Sequence, residues 1–294
     1  MARSTVRDLA SLVRLSHTIF AMPFALASAA LAHRFMLEHG GEGVTLRKVL
    51  LIVVAFTGAR TAAMAFNRIV DRDIDAANPR TASREIPRGA VSLRAAWTLT
   101  ILASAAFLAA AIALGPWPAR LALPALAVVL LYSLVKRVSW AAHLVLGLAL
   151  ALSPGGAWVA VTGGFAGWPL PLALMIAVAT WVAGFDVLYS LQDREFDATH
   201  GLHSIPVRFG VRGALVLSGL LHIGTVAVLF ALHRIGDLGL FHLAGVTAIT
   251  GILAYEHAIV RPSDLSRIDR AFFDLNGYVS LVYLLCTVLD TWLA

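Results

Sequence analysis

Nine runs of mostly apolar residues, each close to the length of a bilayer-crossing helix, occupy most of this chain. A helix rises about 1.5 Å per residue, so about 20 apolar residues cover a hydrocarbon core of about 30 Å. Such runs fall at 15–34, 48–67, 93–114, 119–135, 139–162, 169–190, 212–232, 238–257 and 271–292. Charged residues make up only 14% of the 294, where a soluble domain carries about 25%. These features exclude a soluble enzyme, a disordered chain and a disulfide scaffold. A lone cysteine, Cys286, leaves no internal disulfide and no cysteine-based metal site. The first run follows Arg14 and is longer than a signal-peptide core, so it reads as a span. The expected fold is all-α, a polytopic integral membrane protein with nine transmembrane helices around a central cavity.

The net charge of +6 would suggest nucleic acid in a soluble protein. Its placement points to the membrane instead. With the N-terminus cytosolic, 17 of the 23 Lys and Arg fall on inside segments, from Arg3, Arg7 and Arg14 to Arg261, Arg267 and Arg270. Arg34, Arg47, Lys48, Arg120 and Arg234 fall outside, and Arg60 alone lies within a span. This is the positive-inside pattern for nine spans. It predicts the cytoplasmic (inner) membrane, with the N-terminus and the functional loops cytosolic, the lipid bilayer as partner and no nucleic acid.

The acidic residues concentrate in two windows at cytosolic ends of spans. Asp71, Asp73, Asp75 and Glu85 form the first; Asp186, Asp193, Glu195 and Asp197 form the second. Ionisable groups at membrane depth are costly and mark function. Asn67, Asp71 and Asp75 are spaced i, i+4, i+8 and share one helix face, with Arg60 on the same stripe about two turns deeper. Asp186, Tyr189, Asp193 and Asp197, at i, i+3, i+7, i+11, form a second stripe.

Two facing carboxylate stripes suit hard divalent cations, and Mg²⁺ fills its remaining positions with water and substrate phosphate. Arg68, Arg72, Arg80, Arg84, Arg194, Arg208 and the Lys136-Arg137 pair suit phosphate oxygens. Together they describe a diphosphate site at the membrane edge, above an apolar interior able to hold a greasy tail. His33, His39, His222, His233, His242 and His257 fall near span ends or in outside loops, without metal-ligand spacing, and His200 and His203 read as loop residues.

Asn67-x3-Asp71-x3-Asp75 followed by Arg80-Thr81-x-x-Arg84 resembles the first signature of the UbiA-type intramembrane aromatic prenyltransferases. Asp186-x-x-Tyr189-x3-Asp193-x3-Asp197 followed by Gly201-x-x-Ser204-x-Pro206 resembles the second. The resemblance covers most of the chain and implies one membrane-embedded prenyltransferase domain over 1–294, with its motifs at 67–75 and 186–197. It implies an isoprenyl diphosphate held through Mg²⁺, one ion on Asn67, Asp71 and Asp75 and another on Asp193 and Asp197. Arg80, Arg84 and Lys136, with neighbouring Arg137, would neutralise the leaving diphosphate, and Tyr132, one turn before Lys136, would share that pocket. Arg60 would pair with the acceptor's carboxylate. Asp186 and Tyr189 would sit near the allylic carbon as catalytic groups, steadying the cation or taking a proton. Asn276 also resembles a recurrent family position.

Arg68 stands where many members carry Asp, and Arg84-Glu85-Ile86-Pro87 where many carry Arg-Pro-Leu. With His17-Thr18-Ile19-Phe20, the latter resembles a subgroup labelled 4-hydroxybenzoate polyprenyltransferase. Transfer of a polyprenyl group from its diphosphate to 4-hydroxybenzoate in quinone biosynthesis is therefore the leading reading. Prenylation of 1,4-dihydroxy-6-naphthoate, in the futalosine route to menaquinone, is the alternative, since both acceptors are carboxylated phenols. A multi-span transporter would place its charges near the midplane, and a CDP-alcohol phosphotransferase would show an Asp-rich motif with internal Asp-Gly and Ala-Arg, which is missing from this sequence.

Overall fold

The structure, a computed structural model, describes residues 5–13 and 18–293, except for the side chains of 18–20. The side chains of the His17-Thr18-Ile19-Phe20 stretch thus lie outside the described residues. Among the described residues thirteen α-helices follow in order: α1 (Val6–Leu12), α2 (Thr18–Glu38), α3 (Leu46–Val70), α4 (Arg72–Ala77), α5 (Leu93–Leu114), α6 (Pro116–Val135), α7 (Ala142–Thr162), α8 (Pro169–Ser190), α9 (Arg194–Thr199), α10 (Ile205–Ile235), α11 (Leu240–Ile259), α12 (Ile268–Arg270) and α13 (Asn276–Leu293). No strand occurs among the described residues; a single bridge pairs Arg261 with Asp264.

Seven helical stretches among the described residues are long and apolar enough to cross a bilayer: Leu46–Val70, Leu93–Leu114, Pro116–Val135, Ala142–Thr162, Pro169–Thr199, Ile205–Ile235 and Ile268–Leu293. The sequence suggests nine. The other two stretches are helices α2 and α11, of 21 and 20 residues. They fall outside the seven, and α11 carries His242, Glu256 and His257 among its apolar residues. The protein is an integral membrane protein by these helices.

Local chemistry sets the ends of the spans. Thr45, Ser92 and Ser204 each accept a backbone N–H of the first turn with their side-chain oxygen. Pro116, Pro169 and Pro206 occupy first-turn positions, where a missing N–H costs nothing. As one straight rod, the 31 residues of α10 would be about 46 Å long, more than a bilayer core requires. Gly210, at φ 70° and ψ 177°, breaks the rod; that backbone region is open essentially to glycine alone.

Helices adjacent in the chain pack as neighbours: α3 on α5, α5 on α6, α6 on α7, α7 on α8, α8 on α10, and α11 on α13, while α2 lies against α7 and α13. Ser28 Oγ ties α2 to α7 by donating to the Pro154 carbonyl at 2.7 Å. A buried aromatic core of Phe24, Trp158, Trp181, Phe185 and Tyr283 fills the space among α2, α7, α8 and α13. Without a solvent-driven hydrophobic force inside the bilayer, close approach depends on small residues. A Cβ on Gly147 of α7 would lie 2.3 Å from the Ala179 carbonyl oxygen of α8. Gly147→Ala is therefore expected to force α7 and α8 apart at a cost of about 1–3 kcal/mol, read as a lowered Tm of the detergent-solubilised protein.

The chain between α12 and α13 forms a π-helical turn over Ala271–Leu275. Buried Asn276 holds it, donating from Nδ2 to the Ala271 carbonyl (3.1 Å) and to Glu256 Oε1 (3.3 Å), while Trp181 Nε1 donates to its Oδ1 (2.7 Å). The turn delivers Phe272 to the cavity wall, stacked on Tyr189 with ring centroids 4.1 Å apart. His222 and His242, expected near span ends or loops, are buried. His222 Nε2 lies 3.2 Å from the Trp181 carbonyl and its Nδ1 2.9 Å from His257 Nε2.

Candidate active site

Two adjoining chambers, each of about 270 Å³, lie inside the helices. The lower one is walled almost entirely by apolar residues of α3, α5, α6, α7 and α8, and includes Arg60. The upper one holds Asn67, Asp71, Asp75, Arg80, Arg84, Lys136, Tyr189, Asp193 and Asp197. Met64, Tyr132, Leu146, Asp186 and Phe272 line both. The expected polar pocket over an apolar interior is thus present, with Tyr132 and Asp186 where the two meet.

Neither carboxylate stripe lies on one uninterrupted helix. Helix α3 stops at Val70, and Asp71 is the shared cap between it and α4. The Asp71 N–H still bonds to the Asn67 carbonyl (2.9 Å) and that of Asp75 to the Asp71 carbonyl (2.7 Å), so the i, i+4, i+8 register survives the break. In the second stripe a 3₁₀ turn over Leu191–Asp193 separates α8 from α9. Asp73 points away and pairs with Arg72 at 3.3 Å, 82% exposed. Glu85 leaves the site as well, accepting a hydrogen bond from Ser11 Oγ (2.5 Å).

Three carboxylates in the upper chamber, Asp71, Asp75 and Asp193, are held by cations. Asp71, almost fully buried, accepts from Lys136 Nζ (2.5 Å), Arg137 Nη2 (3.2 Å) and Asn67 Nδ2 (3.0 Å). Asp75 takes Arg84 Nη1 at 2.6 Å, and its other oxygen, Oδ2, is buried without a hydrogen-bond partner. Asp193 receives Arg80 through Nε (2.8 Å) and Nη2, together with Asn78 Nδ2 (2.9 Å). Arg80 Nη1 also donates to the Tyr189 hydroxyl at 3.0 Å. Burial alone would push the Arg80 guanidinium down; Asp193 and Tyr189 outweigh it and hold the group above its ordinary value. Asp186 stands apart from these pairs, with His143 Nδ1 2.7 Å from its Oδ2.

Sequence reasoning missed Asn78 and His143. Asn78 precedes Pro79, a turn signal, and its side chain joins the two motifs directly, while Thr81 Oγ1 donates to the Asp75 carbonyl (3.1 Å). His143 follows no motif. Arg137, grouped with the phosphate-binding residues, lies on Asp71 and on the Val70 carbonyl (2.5 Å). Arg60 stands apart from the ion pairs, with its Nε buried and unpartnered at the wall of the lower chamber.

Residues 21–278 match the UbiA prenyltransferase family. The chain belongs to that family. Among relatives, the protein named 4-hydroxybenzoate octaprenyltransferase from Vibrio cholerae serotype O1 is 28% identical over 247 residues, covering 84% of this chain and 86% of the relative. Its namesake from Yersinia pseudotuberculosis is 28% identical over 256 residues, covering 86% of each. Among solved structures, the UbiA homologue from Aeropyrum pernix K1 superposes with a TM-score of 0.84 at 36% identity, covering 93% of this chain and 98% of that one. A homologue from Archaeoglobus fulgidus, solved bound to GPP and Mg²⁺, shares the fold with a TM-score of 0.69 at 20% identity, covering 94% of this chain and 99% of that one.

Proposed function

We propose that this UbiA prenyltransferase transfers a polyprenyl group from its diphosphate to a carboxylated phenol, 4-hydroxybenzoate, in quinone biosynthesis. The observation that carries the reading is the junction of the two chambers. A chamber rich in carboxylates and cations opens on an apolar one whose wall includes one arginine, Arg60, with its Nε buried. That arrangement accepts a diphosphate head, an isoprenoid tail and a carboxylated ring side by side. The names of the curated relatives agree with it.

The donor set fits Mg²⁺. It is all oxygen, drawn from Asn67, Asp71, Asp75, Asp193 and Asp197, and the buried, unpartnered Asp75 Oδ2 faces no competing hydrogen bond. Among the described residues the carboxylates do not form one ready-made metal cluster; Lys136, Arg137, Arg84 and Arg80 stand between them. These cations are the groups that turn from carboxylate to diphosphate when the metal ions are bound. Bound Mg²⁺ supplies positive charge to the leaving diphosphate oxygens.

The chain's own residues do the rest. Arg80, Arg84, Lys136 and Arg137 take up the charge that develops as the allylic C–O bond breaks and the diphosphate leaves with the electron pair. Arg60 pairs with the acceptor carboxylate and sets the ring in the lower chamber. Tyr132 and Asp186 flank the junction where the ring carbon next to the phenol oxygen attacks the prenyl carbon. Apolar walls exclude the water that would quench a prenyl cation. We infer further that α2 and α11 complete nine spans, that all 294 residues form one domain, and that the site opens to the cytosolic face of the inner membrane.

The test is a two-acceptor assay in detergent, with Mg²⁺ and a long-chain prenyl diphosphate, read by mass spectrometry. Prenylated 4-hydroxybenzoate is the expected product. Product from 1,4-dihydroxy-6-naphthoate alone would reassign the acceptor, and no product from folded protein with either would overturn the carboxylated-phenol reading.

A further inference from the structure

His143 sits in the first turn of α7 and is 6% exposed. Its Nδ1 lies 2.7 Å from Asp186 Oδ2 across the α7–α8 interface. An ionised carboxylate only accepts, so His143 Nδ1 is the donor in this contact, and the other ring nitrogen is Nε2. That nitrogen is buried without a hydrogen-bond partner, a cost that a packing role alone does not explain.

The backbone holds this pair in register. His143 and Gly147 are one turn apart on α7, and the missing Cβ of Gly147 lets α7 press against Ala179 and Ala183 of α8. Asp186 lies on that same face of α8, at i+3 from Ala183 and i+7 from Ala179. The Asp186 side chain is 24% exposed and lines both chambers, and His143, less exposed, lines the upper one beside it. Asp71, Asp75 and Asp193 are all engaged by lysine or arginine. Asp186 is instead held by an imidazole, on one oxygen, which leaves Oδ1 for a proton from the chamber.

We propose that His143 is a positioning residue that fixes Asp186 as the base removing the ring proton after prenyl transfer. The step rests on the reading given under Proposed function. The allylic C–O pair leaves with the diphosphate, the ring π pair forms the new C–C bond, and the C–H pair returns to the ring as the proton passes to Asp186 Oδ1. His143 keeps its own proton throughout and holds Oδ2 still.

The experiment uses the full chain in detergent with Mg²⁺, a prenyl diphosphate and 4-hydroxybenzoate, either protiated or deuterated at the ring carbons beside the phenol. His143→Leu is expected to lower kcat about 10- to 100-fold, the range for losing a group that orients another. KM for the prenyl diphosphate should stay unchanged, and a primary isotope effect on kcat should emerge as proton removal becomes slow. His143→Asn, which keeps an N–H near Nδ1, should recover most of the rate and suppress the isotope effect. Should His143→Leu not fold, His143→Ala gives the same comparison. Normal kcat in the apolar variant, or a fall that is equal for both isotopologues and not relieved by His143→Asn, overturns the proposal. Absence of product from the wild type would instead strike the acceptor reading, so the two failures are distinguishable.

Discussion

Asp71→Ala is expected to abolish prenyl transfer while leaving the protein folded and inserted. Asp71 is the most heavily engaged carboxylate of the site, with Lys136, Arg137 and Asn67 all on its two oxygens. On the proposed reading, removing it takes away a metal-binding oxygen and releases the two cations from their places. Loss of one preorganised electrostatic group costs on the order of 10²–10³ in kcat, and here several are displaced together. Stability should suffer less than activity. Breaking a buried pair is expensive when the surviving charge stays buried, but Lys136 and Arg137 are 32% and 37% exposed and can turn to water. Product formation by mass spectrometry and thermal unfolding in detergent separate the two effects. Near-normal turnover in Asp71→Ala would sink the metal assignment.

Arg60→Ala should act on the other substrate. The side chain lines the apolar chamber with its Nε buried and unpartnered, a costly place for a cation unless a ligand anion meets it. Loss of a charge-assisted hydrogen bond of about 1.5–3 kcal/mol corresponds to a rise in acceptor KM of about 10- to 100-fold. KM for the prenyl diphosphate should not move. Thermal stability of the ligand-free protein should hold or rise, because an unsatisfied buried donor is removed. An effect confined to the prenyl diphosphate would show that Arg60 serves the wrong substrate for this reading.

Much of this was readable from residue order, for a physical reason. In a bilayer, hydrogen bonding forces apolar stretches into helices, so span positions follow from hydropathy almost without tertiary information. The count was less secure where polar residues intrude, as with His242, Glu256 and His257 in α11. The stripe spacing of Asn67, Asp71 and Asp75 puts them on one face, and all three line the upper chamber. The breaks at Asp71 and Leu191–Asp193 left no mark, since neither glycine nor proline causes them. His143 and Asn78 depend on helix pairing and loop return, which spacing along one segment cannot report. The π-turn behind Phe272 is held by Asn276, which bonds back to the Ala271 carbonyl and is itself anchored by Glu256 and Trp181 of other helices, contacts that residue order does not display.

The bridge from Asn78 and Arg80 to Asp193 joins the two halves of the site. With Lys136, Arg137 and Arg84 on Asp71 and Asp75, the chamber is close to electroneutral by its own side chains. A divalent cation arriving alone meets three arginines and a lysine, and a diphosphate arriving alone meets a wall of carboxylates. For an ion and diphosphate arriving as one complex, the carboxylates would hold the ion and the arginines and lysine the diphosphate, and the local charge would barely change. On the proposed function, loading would be an exchange of partners, favouring the metal–diphosphate complex over either component.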